Sequence, residues 1–297
     1  MRHALYGLVL LMAAGCSPVD EPANAGGPNN AMYGTDAALP PSEPDAVLRY
    51  AKHARGFAEL RLAEGDGPFP LAVIFHGGCW KTGIASQAYM APLATRWQQL
   101  GIATLNVDYR EVGDGGGWPG SFEDWAAAAT LIDQVAADYP IDRTRITLVG
   151  HSAGALPALW LPTVQGADGP AGARQPLAAR AAIVLDGPAD VGAEKDAFDA
   201  LCQFSAVEPF MGGTPEAGQA RYAALSPPDR APRLETILFV QAKLPAPPGS
   251  ALAALRAGGA EVSVKENPGA SHFAIITPGD PVHDTIEPAM LAVLRGE

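Results

Sequence analysis

The sequence predicts an α/β fold in which a mostly parallel, doubly wound sheet carries helices on both faces. Short apolar runs without polar alternation recur along the chain, as is typical of strands that are covered on both faces. Stretches of helical length separate most of these runs, and strand–helix–strand repetition is typical of a parallel sheet. The chain has 297 residues, 48% of them hydrophobic, which is enough to bury the core of one such domain.

The elements follow from these patterns in chain order. The predicted strands lie at residues 71–75 (LAVIF), 103–107 (ATLNV), 146–149 (ITLV), 181–185 (AAIVL), 237–240 (ILFV) and 262–264 (VSV). The predicted helices cover residues 86–100, 122–139, 250–257 and a stretch that starts near 153. Ser121 precedes the second helix and Asp124 follows three residues later, so we expect Ser121 to be its N-cap. Without an internal repeat or a second linker, the sequence predicts one domain over residues 45–297.

The first residues are typical of an export signal. Residues 4–14 form an apolar stretch that is too short to span a bilayer. Cys16 follows small residues, as in bacterial lipoprotein signals. We therefore expect residues 1–15 to be a signal peptide and Cys16 to be lipidated, with an ordinary secretory signal as the alternative.

The lipid anchor and the linker determine the expected location. Residues 16–44 are rich in Pro, Asn, Gly and Ala and predict a flexible linker. Two or more acyl chains at Cys16 would anchor the protein stably on the periplasmic side. Ser17 stands where an Asp would be typical of inner-membrane retention, so the outer membrane is favoured.

Charge and composition argue against several classes of partner. The formal net charge is −12 and the sequence contains no basic patch, which argues against binding of nucleic acid. The sequence has no HExxH motif, no P-loop and no Cys/His cluster at ligand spacing, so we expect no metal and no cofactor. If Cys16 is lipidated, Cys79 and Cys202 remain in an oxidising compartment. They could pair or stay as two buried thiols, because pairing depends on a distance that the sequence does not give.

The strongest catalytic motif is G-x-S-x-G at residues 150–154 (GHSAG). It follows a predicted strand and precedes a predicted helix, which is the context of a nucleophile elbow. In such a turn the serine is lifted to the carboxyl edge of the sheet, and the following helix N-terminus favours developing negative charge. Ser152 is therefore the candidate nucleophile.

A second motif, HGGCW at residues 76–80, directly follows the first predicted strand. It resembles the HGGG-type oxyanion loop of lipases and esterases, in which glycines let backbone N–H groups approach the substrate. That resemblance implies that the N–H groups of Gly78, Cys79 and Ala153 bind the oxyanion. Cys79 replaces the third glycine of the motif.

From His76 to Phe273 the chain resembles esterase and lipase-like α/β hydrolases related to arylformamidases and hormone-sensitive-lipase-type enzymes. Besides the two motifs above, the resemblance rests on DYR at residues 108–110, GDGGGWPG at 113–120, MGGTP at 211–215, LSP at 225–227 and SHF at 271–273. It implies the α/β-hydrolase fold and a serine hydrolase mechanism.

The candidate base is His272, which ends a loop after the last predicted strand. A histidine there can accept the Ser152 proton and later protonate the leaving group. We expect His283 to be a surface residue. His151 is expected to point away from Ser152 and to serve in packing.

The acid of the triad is left open. The resembled family usually carries an aspartate shortly after the strand at 237–240, but residues 241–248 (QAKLPAPP) contain no carboxylate. Asp186, which follows the strand at 181–185, is the first candidate. Asp190 or Glu266 could fill the role instead, or the triad could be incomplete.

These observations predict hydrolysis of small carboxylic esters, short-chain or aryl, through an acyl-Ser152 intermediate. The short stretch at residues 155–178 predicts no separate lid, which favours soluble esters over emulsified fats. One alternative is an amidase of the arylformamidase kind. The other is a catalytically impaired surface lipoprotein that keeps the fold, an alternative motivated by the unidentified acid.

Overall fold

The computed structural model describes residues 39–167 and 169–297. The expected signal peptide at 1–15, Cys16 and most of the expected linker lie outside the described residues. Within the two described ranges, no helix is long and apolar enough to cross a membrane.

Eight strands form one sheet. They are β1 (Ala46–Arg49), β2 (Phe57–Arg61), β3 (Phe69–Phe75), β4 (Ala103–Val107), β5 (Ile141–His151), β6 (Ala181–Leu185), β7 (Thr236–Gln241) and β8 (Glu261–Glu266). Their spatial order is β1-β2-β4-β3-β5-β6-β7-β8. The pairs β1–β2 and β2–β4 are antiparallel and the other five pairs are parallel.

Helices cover both faces of the sheet. They are α1 (Ala91–Gln99), α2 (Gly120–Asp138), α3 (Ala155–Trp160), α4 (Lys195–Cys202), α5 (Val207–Met211), α6 (Gln219–Ala223), α7 (Gly249–Ala257) and α8 (Pro281–Arg295). Strand β3 is buried along its whole length. Val73 packs in one core cluster with Ile132 of α2, whereas its neighbour Ile74 packs in another with Met290 of α8. Both faces of the central strands therefore need apolar side chains, which explains the runs without alternation.

Two predicted helix starts are wrong. The helix expected at 86–100 is split into a 3-10 turn (Gln87–Met90) and α1, because Pro92 favours a new helix start. Helix α2 begins at Gly120, so Ser121 lies inside the helix and is not its N-cap. The Ser121 hydroxyl instead donates to the Arg110 carbonyl and accepts from the Gly117 N–H, which fastens the preceding loop to the helix.

The sequence prediction omitted the strands β1 and β2 and the helices α4, α5, α6 and α8. Strand β2 alternates in burial, with Ala58 and Leu60 facing the core, so a period of two was available to find it. The start of α8 carried clear signals as well. Asp280 caps the helix by accepting from the Val282 N–H, and Pro281 occupies the first position of the helix.

The topology brings the candidate site together at one edge. The strands β3, β5, β6 and β7 run parallel, so their carboxyl ends meet at the same side of the sheet. The HGGCW loop follows β3, Ser152 follows β5 and Asp186 follows β6. A short loop after β8 carries His272. Ligands of open α/β sheets bind at this edge.

Candidate active site

Ser152 occupies a strained turn between β5 and α3. Its φ is 53°, a left-handed conformation that is uncommon for a residue with a Cβ. A Cβ on Gly150 would lie 2.0 Å from the Gly154 carbonyl oxygen, and one on Gly154 would lie 2.1 Å from the Phe75 carbonyl oxygen. Only glycine fits at either position, which explains the spacing of the G-x-S-x-G motif. Ser152 is 3% exposed.

His272 is hydrogen-bonded to Asp186. The distance between His272 Nδ1 and Asp186 Oδ2 is 2.7 Å, and Asp186 is fully buried at the end of β6. The backbone N–H groups of Ala242, Lys243 and Leu244 donate to the same carboxylate at 2.8–3.0 Å. The segment after β7, where the resembled family usually carries its acid, thus supplies hydrogen-bond donors to an acid on the neighbouring strand.

These contacts keep Asp186 ionised. Burial raises the pKa of its carboxyl, but the hydrogen bond from His272 and the N–H groups of Ala242 and Lys243 outweigh burial, so the pKa lies below its ordinary value. An ionised acceptor fixes a proton on Nδ1 of His272. The other ring nitrogen, Nε2, is then free of a proton and can act as a base.

The other two candidate acids are engaged elsewhere. Asp190 accepts hydrogen bonds from the Gly192 and Ala193 N–H groups and from the Ser226 hydroxyl. Glu266 ends β8 with an exposed side chain. Of the three candidates, Asp186 is the one that the structure places against His272.

Ser152 and His272 line the same cavity, which has a volume of about 670 Å³. Its lining is predominantly apolar. The lining residues are Gly78, Cys79, Ile84, Ala85, Tyr89, His151, Ser152, Ala200, Leu201, Cys202, Gln203, Phe204, Lys243, His272 and Phe273. The wall at 200–204 comes from the end of α4 and the loop after it, which the sequence analysis did not assign to the site.

The HGGCW loop contacts the candidate nucleophile. A Cβ on Gly77 would lie 2.8 Å from the Ser152 Cβ, so glycine is required for this close approach. Gly78 and Cys79 line the cavity beside Ser152. Gly78 has a φ of 115° and Cys79 a φ of 52°. Both residues thus adjoin the candidate nucleophile at the cavity, and their role as oxyanion donors stays a prediction.

Buried polar contacts support the loop from behind. His76 stacks on Tyr109 with ring centroids 4.3 Å apart, and its Nε2 lies 3.0 Å from Asp108 Oδ1. The Tyr109 hydroxyl donates to the His76 carbonyl. The Trp80 indole N–H donates to the Ala153 carbonyl at 3.0 Å, which joins the loop to the elbow.

His151 is part of a hydrogen-bond relay that the sequence analysis missed. Its Nε2 lies 3.0 Å from the His272 carbonyl oxygen, and its Nδ1 lies 2.7 Å from the Tyr89 hydroxyl. A carbonyl can only accept, so Nε2 carries the proton and Nδ1 accepts from Tyr89. Burial and the neighbouring His272 lower the pKa of His151, which keeps the ring neutral. The Tyr89 oxygen accepts from the Gly77 N–H, so the relay connects the HGGCW loop with the loop of His272.

Two predictions about histidines need correction. His151 is buried as expected, but it lines the cavity and binds the His272 carbonyl rather than serving in packing alone. His283 is not a surface residue. It is 0% exposed in α8, because it lies on the same face of the helix as Ile286 and Met290, which pack in the core.

Cys79 and Cys202 form a disulfide, with Cα atoms 6.0 Å apart. The sequence left this pairing open. Within the described residues, no group of three or more His, Cys, Asp or Glu side chains could hold a metal ion.

Comparison with known proteins gave a family match and several similar structures. A family model described as BD-FAE matches residues 61–230. No curated protein sequence matches the chain. A truncated carbohydrate esterase from gut microbiota is similar in structure, with 17% identity, a TM-score of 0.61, and coverage of 86% of this chain and 98% of that chain. Esterase B from Lactobacillus rhamnosis has 15% identity and a TM-score of 0.68, covering 91% and 90%. The propionate-bound esterase Est2 from Thermogutta terrifontis has 20% identity and a TM-score of 0.61, covering 84% and 93%.

Proposed function

Because this chain belongs to the BD-FAE family of hormone-sensitive-lipase-like α/β hydrolases, we propose that it is a serine esterase that cleaves small carboxylic esters. The predicted α/β-hydrolase fold is confirmed. The observation that carries the proposal is the 2.7 Å contact between His272 and the buried Asp186, with His272 on the same cavity as Ser152.

In the first half of the reaction, His272 Nε2 accepts the Ser152 hydroxyl proton while Oγ attacks the ester carbonyl carbon. The carbonyl oxygen becomes an oxyanion, which the N–H groups of Gly78, Cys79 and Ala153 stabilise. Collapse of the tetrahedral intermediate breaks the bond to the alcohol oxygen. The imidazolium returns its proton to that oxygen, so the alcohol leaves and the acyl group stays on Ser152.

In the second half, water takes the place of the alcohol. His272 accepts a proton from water as it attacks the acyl carbon, and the same N–H groups bind the second oxyanion. The imidazolium then protonates Ser152 Oγ, the acid is released and the enzyme returns to its initial state. Asp186 stays ionised throughout and stabilises the imidazolium.

We propose short-chain or aryl esters as the substrates, in agreement with the size and the apolar lining of the cavity. A largely apolar cavity of about 670 Å³ is in the size range of small-molecule sites. Similar structures include the propionate-bound Est2 and an esterase B inhibited by a tributyrin phosphonate. These names describe those proteins, and they agree with a small acyl group here.

The geometry of the site bears differently on the amidase and on the impaired lipoprotein. An arylformamidase-like amidase would use the same residues, and a substrate comparison separates it from an esterase. The impaired surface lipoprotein was motivated by a missing acid, and the Asp186–His272 contact argues against it.

We also propose that the protein is exported and anchored by lipid at Cys16. The disulfide between Cys79 and Cys202 supports an oxidising compartment. Cys16→Ser should move the protein from the membrane fraction to the soluble periplasmic fraction. An unchanged membrane fraction would contradict the anchor.

The test of the proposed activity is turnover of p-nitrophenyl acetate and butyrate by the full chain, beside an N-formyl aryl amine. We expect kcat/KM for the esters to exceed that for the amide by at least about tenfold. The Ser152→Ala variant should fall to the background rate. Faster hydrolysis of the formyl amide would favour the amidase, and no turnover of either class would contradict the proposal.

A further inference from the structure

The disulfide between Cys79 and Cys202 joins two parts of the site that lie 123 residues apart in sequence. Cys79 belongs to the HGGCW loop, and Cys202 ends α4 within the cavity wall at 200–204. We propose that this disulfide is a positioning element of the active site. It holds the oxyanion loop and the wall at one separation, and so determines which acyl groups the cavity admits. The inference rests on the proposed esterase function.

The backbone of the loop needs an external anchor. Gly78, Cys79 and Trp80 have consecutive φ values of 115°, 52° and 53°. The last two side chains carry a Cβ, and such residues persist in this region when surrounding contacts determine their conformation. Because Cys79 is itself a predicted oxyanion donor, the disulfide constrains the same residue that carries the donor N–H.

Trp80 provides the second contact between the loop and the wall. Its ring stacks on Phe210 at 4.4 Å and lies 4.7 Å from Phe198 of α4. Trp80 is fully buried and bonds the Ala153 carbonyl. The segment 195–211, which we call the wall segment, is therefore packed against the residue that follows the disulfide.

The next residue of the loop contributes a third contact. Lys81 Nζ lies 4.6 Å from the Phe204 ring centroid, within the range of a cation–π interaction. Three consecutive residues, 79–81, thus contact the wall segment through a covalent bond, a ring stack and a cation–π pair. The loop and the wall are expected to move as one body while the disulfide is intact.

The part of the wall segment that faces the cavity, residues 200–204, is only partly buried. In α4, Phe198 is buried, whereas Leu201 and Cys202 are half-buried and Ala200 and Gln203 are exposed. Much of the remaining order of the segment is internal. The Asp199 carboxylate accepts from the N–H groups of residues 206 and 207. Such internal bonds keep the segment folded, and the disulfide adds a covalent constraint to the packing of Phe198 and Phe210 on Trp80.

Opening the disulfide should have two separable effects. A displaced Cys79 N–H weakens oxyanion binding in the transition state, which lowers kcat for every substrate. A released wall widens the cavity around Leu201 and Phe204, which favours longer acyl chains over acetate. If the disulfide only stabilises the fold, opening it should lower the melting temperature and leave kcat and the preference for acyl-chain length unchanged.

The test compares the oxidised full chain, the same protein treated with dithiothreitol, and the double variant Cys79→Ala/Cys202→Ala. Each is assayed with p-nitrophenyl acetate, butyrate and octanoate at a temperature where circular dichroism shows it folded. We expect kcat for acetate to fall by about tenfold, less than the ~100-fold or more that follows loss of a whole donor. The ratio of kcat/KM for octanoate to that for acetate should rise several-fold. Dithiothreitol should not affect the double variant, which retains Cys16, and reoxidation should restore the wild type.

The contrary outcomes are distinct. A lower melting temperature with unchanged kcat and an unchanged chain-length ratio would overturn the proposal, and so would a failure of both reduced forms to fold. If the oxidised protein turned over no faster than Ser152→Ala, the proposed function itself would fail, and the positioning role with it. An active enzyme that is indifferent to reduction would leave the esterase function standing and remove the positioning role alone.

Discussion

The substitution Asp186→Asn tests the acid of the proposed triad, because the structure dictates how the amide must sit. One carboxylate oxygen of Asp186, Oδ1, accepts N–H groups from residues 242–244. The other, Oδ2, accepts from His272 Nδ1 and also from the Lys243 N–H. The asparagine oxygen must therefore stay at the Oδ1 position, since turning the NH2 group there would leave the N–H groups of Ala242 and Leu244 without an acceptor.

In that orientation the asparagine NH2 group faces His272 Nδ1. Two donors cannot share one hydrogen bond, so the imidazole moves its proton to Nε2 and presents Nδ1 as the acceptor. Nε2 can then no longer take the Ser152 proton. Loss of the correct tautomer in a serine triad lowers kcat by about 10⁴, so we expect a fall of about 10³ to 10⁴ with KM nearly unchanged.

The assay is steady-state hydrolysis of p-nitrophenyl butyrate by the full chain, with folding checked by circular dichroism. The matched control is Glu266→Gln, the same loss of charge on an exposed residue that also lies at the carboxyl end of a strand. We expect its kcat to stay within about twofold of wild type, as for a surface substitution. A folded Asp186→Asn variant with kcat within threefold of wild type would refute the assignment.

Three further substitutions test the supports of the site. Gly154→Ala places a Cβ 2.1 Å from a carbonyl oxygen of β3, so we expect the free energy of unfolding, measured by urea titration, to fall by at least about 3 kcal/mol. In the control Gly249→Ala nothing lies within 4 Å of the new Cβ, and the free energy of unfolding should stay near that of the wild type. Tyr89→Phe removes the hydroxyl between the Gly77 N–H and His151, which should lower the free energy of unfolding by about 1–3 kcal/mol and also lower kcat. An unchanged urea midpoint and an unchanged kcat would argue against the relay. Burial, opposed by Arg55, raises the pKa of Glu111 to about 8. The folded state therefore binds the Glu111 proton more tightly than the unfolded state does. The free energy of unfolding should fall as pH rises from about 4.5 to about 8. Glu111→Gln should lack this loss, and parallel urea midpoints for both proteins between pH 5 and 8.5 would contradict the shift.

The central fold and the nucleophile could be predicted because their signals are local. The G-x-S-x-G spacing reflects two positions where a Cβ would meet backbone at about 2 Å, and such constraints are visible in a short motif. The buried parallel strands were predicted from continuous apolar runs. The short β2 was missed although its burial alternates, since five residues give a weak signal.

The acid and the disulfide could not be settled from sequence because both depend on tertiary distances. Asp186 and His272 are 86 residues apart in the sequence and follow different strands, and the donors after β7 that hold Asp186 are backbone groups with no side-chain signature. The Cys79–Cys202 distance depends on the tertiary placement of α4 beside the HGGCW loop, 123 residues away in sequence. The relay through Tyr89 and His151 is likewise absent from any local pattern.

Covalent trapping at Ser152 tests the account most directly. The full chain is incubated with a fluorophosphonate, and the modified residue is located by mass spectrometry of the peptides, with Ser152→Ala treated in parallel. The account predicts one phosphonyl group on Ser152, a loss of esterase activity in proportion to labelling, and no labelling of the variant. A folded protein that hydrolyses p-nitrophenyl butyrate but is unlabelled at Ser152, or whose Ser152→Ala variant keeps its turnover, would contradict it.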